Sequence, residues 1–241
     1  MIMYFDVHAH LSEVKDRNTL LTYLFKHKPY VIAATYDVDD YKYNKLHFSD
    51  IENVRVGLGY HPDSIGKFEF NKDEFARLLF ETKYVSEVGL DFSQSYIKTK
   101  SQQLVIFDDI TSLAKDKIMI VHSRNAEKEV FETLQKHHAK YVIFHWYTGN
   151  QQVLKKIVEA GYYLSFNLRM LNSQKGEEVC RVTPINQILV ESDVPFTCKN
   201  VSNDYYKKIY NRISDIKKKD SIEVSLFENF SRLLTDYANS Q

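Results

Sequence analysis

Three polar residues alternate near the start of the chain. Asp6, His8 and His10 occupy every second position of the segment FDVHAHLS. Side chains two residues apart in a β-strand point to the same face, so we expect these three to converge. The apolar residues around them predict a buried strand from Met1 to His10, with a solvated edge strand as the alternative. Imidazoles and carboxylates in such an arrangement are ligands for a divalent metal ion.

Groups of the same kind stand at or near the C-terminal ends of other predicted strands. Together with the first two histidines the candidates are His8, His10, Glu87, His122, His145 and Asp193. A single histidine at a strand end is usually a packed core residue. Four histidines and two carboxylates without a metal would leave buried polar atoms unpartnered and carboxylates repelling each other.

This candidate set exceeds the needs of one ion and suits two ions that share a carboxylate, for which Glu87 is the natural bridge. Two divalent ions about 3.5–4 Å apart lower the pKa of a trapped water molecule and stabilise a displacement at phosphorus. The residues therefore predict a hydrolase.

Short β-rich runs alternate with longer amphipathic stretches and must position these groups. The predicted strands cover 3–10, 30–36, 54–62, 84–92, 118–124, 141–146, 162–167 and 188–195. Predicted helices include 71–80, capped by Asn71, then 100–116, 125–138, 150–160 and a closing helix in 220–241. Eight such repeats predict a closed (β/α)₈ TIM barrel, with a doubly wound open sheet as the alternative. A barrel would gather all the strand ends on one face.

Length and composition agree with one such barrel over residues 1–241. Lys+Arg and Asp+Glu both number 32, which excludes a protein that coats nucleic acid by bulk charge. The first residues do not show a basic region followed by an apolar one, and no apolar run reaches about 18 residues, so we expect an unexported, cytoplasmic protein without membrane contact. We assume a monomer. Cys180 and Cys198 predict neither a disulfide nor a thiolate zinc site.

Seven short motifs follow one another along the chain. They are FDVHAHL (5–11), GYHP (59–62), SEVGLDF (86–92), Gln103 with Phe107, IVHSR (120–124), FHWYTG (144–149) and VESDVP (190–195). In this order they resemble the motifs of the TatD-type metal-dependent deoxyribonucleases, a branch of the amidohydrolase-like barrels.

The resemblance implies a ligand set and a reaction. One ion would be held by His8, His10 and Asp193, the second by His122 and His145, with Glu87 as bridge. Asp193 would also be the general base, and Arg124 would bind a phosphate through forked hydrogen bonds. The family implies two divalent ions, such as Mg²⁺, Mn²⁺ or Zn²⁺, that activate a hydroxide to remove nucleotides from DNA 3′ ends, with a preference for single strands.

The chain departs from the family pattern in the pocket wall. Ser86 replaces a glycine, and Trp146-Tyr147 replace Cys-Phe. After Pro195 the family's basic Arg-Gly-x-x-Asn-x-Pro stretch is missing. The resemblance therefore determines metal binding better than it determines substrate preference.

Other residues near the motifs have predicted supporting roles. His61 is interpreted as supporting the ligands or contacting substrate, and Trp146 as stacking on a base. Asp91 and Asp6 are interpreted as orienting groups. The basic stretch 199–219, with three interleaved tyrosines, is interpreted as a solvated helix face, with contact to DNA as the alternative.

Two other functions remain open at this stage. The same metal chemistry acts on small amides, lactones or phosphate esters in related barrels. A metal-binding or nucleic-acid-binding protein without catalytic activity is the other alternative. Such a protein is expected to have lost a ligand or the base, and none is missing here.

Overall fold

The computed structural model describes residues 4–241, and within them eight strands alternate with helices. The strands are β1 (Phe5–Ala9), β2 (Tyr30–Ala33), β3 (Val54–Val56), β4 (Tyr84–Gly89), β5 (Ile118–His122), β6 (Tyr141–His145), β7 (Tyr163–Phe166) and β8 (Ile188–Val190). The helices are α1 (Arg17–His27), α2 (Val38–Phe48), α3 (Lys72–Leu78), α4 (Lys100–Ala114), α5 (Glu127–Lys136), α6 (Gln151–Glu159), α7 (Leu168–Leu171), α8 (Gln174–Val182), α9 (Asn203–Lys217) and α10 (Ile222–Asn239).

The strands pair in parallel in sequence order, in two runs that cover β1 to β3 and β4 to β8. Backbone hydrogen bonds join the runs at both seams. Between β8 and β1, the Asp193 N–H donates to the His8 carbonyl at 2.9 Å. Between β3 and β4, Leu58 donates to Tyr84 at 3.0 Å and accepts from Ser86 at 3.1 Å. The strands therefore form the predicted (β/α)₈ barrel and not an open sheet.

The elements follow the sequence pattern closely. The predicted first strand begins at Met1, but residues 1–3 lie outside the described residues. The third strand is shorter than predicted, although the chain keeps hydrogen bonds to both neighbouring strands after it, and Gly57 and Gly59 allow a close approach to Ser86 and Thr35 there. The predicted cap of α3 is confirmed, since the Asn71 side chain accepts from the Glu74 N–H at 3.0 Å.

The predicted closing helix is α10. It buries Leu226, Phe230, Leu233 and Tyr237, which recur every three or four residues and so share one helix face. The Phe230 ring stacks on Phe5 at the start of β1, with ring centroids 4.7 Å apart. Among residues 4–241, neither this helix nor any other is both long and apolar enough to cross a lipid bilayer.

The basic stretch 199–219 forms mostly α9, and its tyrosines are structural. Tyr206 and Tyr210 are buried, and the Tyr206 hydroxyl donates to Asp6 Oδ2 at 2.7 Å. The Tyr205 hydroxyl shares a hydrogen bond of 2.7 Å with Thr197. Lys207 and Lys208 are exposed, as expected for a solvated helix face, but the tyrosine rings are packed and do not support the alternative of contact to DNA bases.

The backbone of Glu87 is held by the segment that follows β2, because its N–H donates to the Thr35 carbonyl at 3.1 Å. A Cβ added at Gly59 would lie 1.7 Å from the same Thr35 oxygen. We therefore expect Gly59→Ala to lower the free energy of unfolding by about 3 kcal/mol or more, measured by urea denaturation. Gly161→Ala is the control: its φ of +77° is also unfavourable, but its added Cβ meets nothing within 4 Å. Its cost is about 1–2 kcal/mol. Equal losses in the two variants would contradict the close approach at Gly59.

Candidate metal centre

A cavity of about 1080 Å³ opens at the C-terminal ends of the strands. Of the residues that the sequence singles out for the site, it is lined by His10, His61, Glu87, His122, Arg124, His145, Trp146 and Asp193. His8 is fully buried and contacts these groups from within the barrel. The barrel thus brings together, in one pocket, residues separated by more than a hundred positions.

Four ligand atoms converge on one side of Glu87. His8 Nε2 and His10 Nε2 lie 3.2 Å apart, each is 3.4 Å from Glu87 Oε2, and each is 3.7 Å from Asp193 Oδ1. Ligand atoms bound about 2.1 Å from one tetrahedral ion lie about 3.4 Å apart, so the spacing of His8, His10 and Glu87 fits one divalent ion. Asp193 lies close enough to both histidines to join them.

A second group surrounds the other oxygen of Glu87. Oε1 lies 2.7 Å from His122 Nδ1, 3.3 Å from His145 Nε2 and 3.6 Å from His61 Nε2. Three candidate metal-binding groups result, namely His61 with Glu87 and His122, His8 with His10 and Glu87, and His8 with His145 and Asp193, so His145 lies within reach of both sides of the centre. His61 thus lies closer to the centre than the sequence interpretation placed it. The two oxygens of one carboxylate face two separate sets of imidazoles.

The titratable groups at the centre differ in protonation. Burial would raise the pKa of Glu87, but the neighbouring imidazoles, His61 and His145 first among them, outweigh it and hold that pKa well below its usual range. Burial and the neighbouring His145 lower the pKa of His8 to about 4, so this imidazole is neutral and presents a lone pair. Burial would lower the pKa of His145, but the carboxylates of Glu191 and Glu87 outweigh it and raise that pKa well above its usual range, so a cation that binds there displaces a proton.

Glu191 fixes the orientation of His145 and was missed by the sequence analysis. Its Oε2 accepts from His145 Nδ1 at 3.1 Å, and Asn167 Nδ2 donates to its Oε1 at 2.8 Å. With Nδ1 engaged, His145 presents Nε2 to the cavity. The available signal was the spacing, because Glu191 stands two residues before Asp193 in an extended segment.

Asp91 orients His122, as the sequence predicted. Its Oδ2 lies 3.1 Å from His122 Nε2, which leaves Nδ1 facing Glu87. Burial would raise the pKa of Asp91, but hydrogen bonds from His122 and Ser93 outweigh it and lower this pKa to about 2. The Gln103 side chain bonds both the N–H and the carbonyl of Asp91, at 2.8 and 3.0 Å.

Asp6 does not converge with the two histidines of β1, which corrects the first expectation. Its Oδ1 accepts from the backbone N–H groups of His8 and Ser192, at 3.1 and 2.9 Å. With its other oxygen bonded to Tyr206, the carboxylate is fully engaged. Asp6 therefore joins β1 to the end of β8 inside the barrel, and it orients the centre without reaching it.

The rim of the cavity carries side chains of another kind. Arg124 is exposed and forms no ion pair among residues 4–241. Trp146 is partly buried, and its ring meets His145 edge-on with centroids 6.3 Å apart. Arg169 and Phe196 also line the cavity and were not singled out from the sequence, because both lie on loops or short helices without a strand or helix period.

Glu191→Gln is expected to weaken metal binding, because glutamine keeps the volume but removes the charge that orients and polarises His145. Loss of such a supporting contact typically costs 10–100-fold in metal affinity, so we expect an increase of about that size in the Kd for Mn²⁺ by calorimetry. Glu132→Gln, at an exposed position on α5, is the matched control. An unchanged Kd in Glu191→Gln would show that this contact does not support the centre.

Comparison with known proteins agrees with this geometry. A family model described as TatD related DNase matches residues 5–235. The chain belongs to this family. A Bacillus subtilis relative, named the uncharacterized metal-dependent hydrolase YabD, is 26% identical to this TatD-family chain over 96% of its length and 98% of the relative's. A Schizosaccharomyces pombe protein named deoxyribonuclease Tat-D is 29% identical over 46% of this chain and 37% of its own.

Solved structures show the same fold. The TatD homologue YJJV from Escherichia coli superposes with a TM-score of 0.84 at 19% identity and covers 97% of this chain and 98% of its own. A TatD family hydrolase from Entamoeba histolytica gives a TM-score of 0.78 at 14% identity, over 96% and 97% of the two chains. The family resemblance and the barrel predicted from the sequence are both confirmed.

Proposed function

We propose that this TatD-family chain is a metal-dependent phosphodiesterase that removes nucleotides from DNA 3′ ends. The observation that carries the proposal is the position of Glu87, whose two carboxylate oxygens face two separate sets of imidazoles. We propose that His8, His10 and Asp193 hold one divalent ion, that His122 and His145 hold a second, and that Glu87 bridges them. When bound, such a pair of ions lowers the pKa of a water molecule and neutralises charge at phosphorus.

The remaining steps belong to the chain's own groups. Asp193 lies beside His8 and His10 and would accept the proton of the attacking water as general base. Arg124 on the rim would bind a phosphate oxygen pair, and Trp146 would stack against a base. His61, at 3.6 Å from Glu87, would support the centre or contact the substrate.

DNA is the proposed substrate because relatives carry deoxyribonuclease names and because the site offers chemistry for phosphodiesters. The Schizosaccharomyces pombe relative is named for this activity, as is a putative deoxyribonuclease of Mus musculus that is 31% identical over 46% of this chain. We further propose that residues 1–241 act as one catalytic unit. A monomeric state and a cytoplasmic location stay predictions.

Digestion of an end-labelled single-stranded DNA oligomer tests the proposal. With Mn²⁺ or Mg²⁺, a 5′ label should appear in a ladder of progressively shorter products, and a 3′ label should be released at once as a mononucleotide. EDTA and the variant Asp193→Asn should both abolish the ladder.

The same experiment separates the alternatives. Release of the 5′ label as a mononucleotide would reverse the proposed direction. Intact DNA under every metal, together with hydrolysis of a small ester, amide or lactone, would favour a small-molecule hydrolase on the same barrel. Intact DNA and no hydrolysis of any small substrate would favour a binding protein.

A further inference from the structure

The wall of the cavity is divided by charge. On the side of β2 to β4 its acidic groups already have partners, because Asp63 pairs with Lys67 at 2.6 Å and Asp91 contacts His122 at 3.1 Å. On the side of β5 to β8 stand three basic side chains, Arg124, Arg169 and Lys175, together with the carboxylates of Glu127 and of Asp193, which belongs to the candidate metal centre. None of the three forms an ion pair within the part of the chain that the structure describes. An anionic strand would therefore lie along the β5 to β8 side.

Arg169 is held in place by neutral groups only. Its Nη1 donates to the Phe196 carbonyl at 3.4 Å, and its guanidinium carbon lies 5.8 Å from the centre of the Trp146 ring. A guanidinium has five N–H donors, and this is the one hydrogen bond that Arg169 makes among residues 4–241. The Trp146 ring and one carbonyl thus orient the Arg169 guanidinium, and its remaining N–H donors face solvent and the cavity.

Phe196 supplies a flat apolar surface beside this guanidinium. Phe196 is 47% exposed and lines the cavity. The ring meets His10 at right angles with centroids 5.3 Å apart, so it lies next to the metal centre. Its backbone is fixed by a hydrogen bond of 2.9 Å from its own N–H to the Asp193 carbonyl.

We propose that Arg169 and Phe196 form a subsite for the nucleotide next to the cleaved bond, in which Arg169 binds its phosphate and Phe196 stacks on its base. Guanidinium groups bind phosphate oxygens in pairs, and aromatic rings stack on any base without sequence preference. The subsite rests on the proposed nuclease function and adds to it two residues of this chain that contact the nucleotide next to the cleaved bond.

The chain offers a matched control for each variant at the opposite end of the barrel. Arg55 also donates to a backbone carbonyl, that of Val54 at 2.7 Å, and lies 5.6 Å from the Tyr30 ring. Phe80 is 91% exposed. Both line a separate cavity among the starts of strands, away from the metal centre. Arg55→Ala therefore removes an equal charge, and Phe80→Ala an exposed ring of the same type, at a distance from the metal centre.

Binding of a fluorescent single-stranded DNA octamer, measured by anisotropy with Mg²⁺ in the Asp193→Asn background, tests the subsite. We expect Arg169→Ala to raise the Kd about tenfold or more and to lower the slope of log K against log salt by about 0.7, the value for one lost phosphate contact. Phe196→Ala should raise the Kd about fivefold or more without changing that slope. In the active enzyme, both changes should raise KM for the octamer by a larger factor than they lower kcat. The KM for a diester with a single phosphate should change less than the KM for the octamer.

The outcomes distinguish the subsite from the function on which it rests. If the wild type digests the octamer and the Arg169→Ala and Phe196→Ala variants bind it as the Arg55→Ala and Phe80→Ala controls do, the subsite is refuted and the nuclease function stands. If the Asp193→Asn protein does not bind the octamer and the wild type does not cleave it, both proposals fall.

Discussion

Glu87→Gln is expected to lower the rate of DNA hydrolysis by about 10³-fold and to leave at most one tightly bound ion. The amide has the size of the carboxylate but only one oxygen and no charge. It therefore cannot offer an anionic oxygen to an ion on each side. Paired metal ions contribute several kcal/mol of transition-state stabilisation, and each 1.36 kcal/mol is a factor of ten in rate. The measurements are kcat/KM on a DNA oligomer and the ion content after equilibrium dialysis.

Asp63→Asn is the control for this variant. Asp63 lines the same cavity, but its carboxylate pairs with Lys67 and does not belong to either set of ligands. We expect its rate to stay within a few-fold of the wild type. If Glu87→Gln keeps two ions and most of its activity, Glu87 does not bridge the centre.

Asp193→Asn is expected to lower kcat by about 10²–10⁴-fold, which is the usual contribution of a general base. Asparagine retains an oxygen next to His8 and His10 but cannot accept the proton of the attacking water. The set around Glu87 Oε1 is untouched, so the ion held by His122 and His145 should remain. Calorimetry with Mn²⁺ alongside single-turnover kinetics would measure both effects.

The pH profile gives a second readout for the same residue. Burial raises the pKa of the Asp193 carboxyl to about 7 in the protein without metal, although the nearby His145 and His10 act in the opposite direction. A divalent ion stabilises the carboxylate, so its pKa in the loaded enzyme should fall below 7. A base acts when deprotonated, so kcat/KM should rise with pH through that lowered pKa. A wild-type profile without this rise, or the same rise in Asp193→Asn, would exclude Asp193 as the base.

The convergence of the candidate ligands was predictable from the sequence because strand geometry is simple. Side chains alternate along a strand, and the C-terminal ends of parallel strands meet on one face of a barrel. The positions of His8 on β1, His10 directly after it, His122 on β5 and His145 on β6 follow from these two rules. The same alternation failed for Asp6, because its carboxylate is taken by the backbone N–H groups of neighbouring segments.

Groups outside the strands were harder to predict. Arg169 and Phe196 lie on a four-residue helix and a loop, where no period relates sequence position to side-chain direction. The tyrosines of α9 were misjudged although their spacing does follow a helix period. Tyr206, Ile209, Tyr210 and Ile213 recur at spacings of three and four, which is the pattern of a buried helix face. The interleaved lysines led to the interpretation of an exposed, charged helix, although the spacing of these apolar residues predicts that one face of the helix is buried.

A titration of metal-free protein with Mn²⁺ tests the central claim most directly, with bound ions and DNA cleavage followed in the same samples. The two-ion centre predicts that two ions bind per chain and that cleavage of the DNA oligomer rises mainly with the second. Binding of a single ion with full activity, or cleavage that does not depend on added metal, would contradict a centre bridged by Glu87.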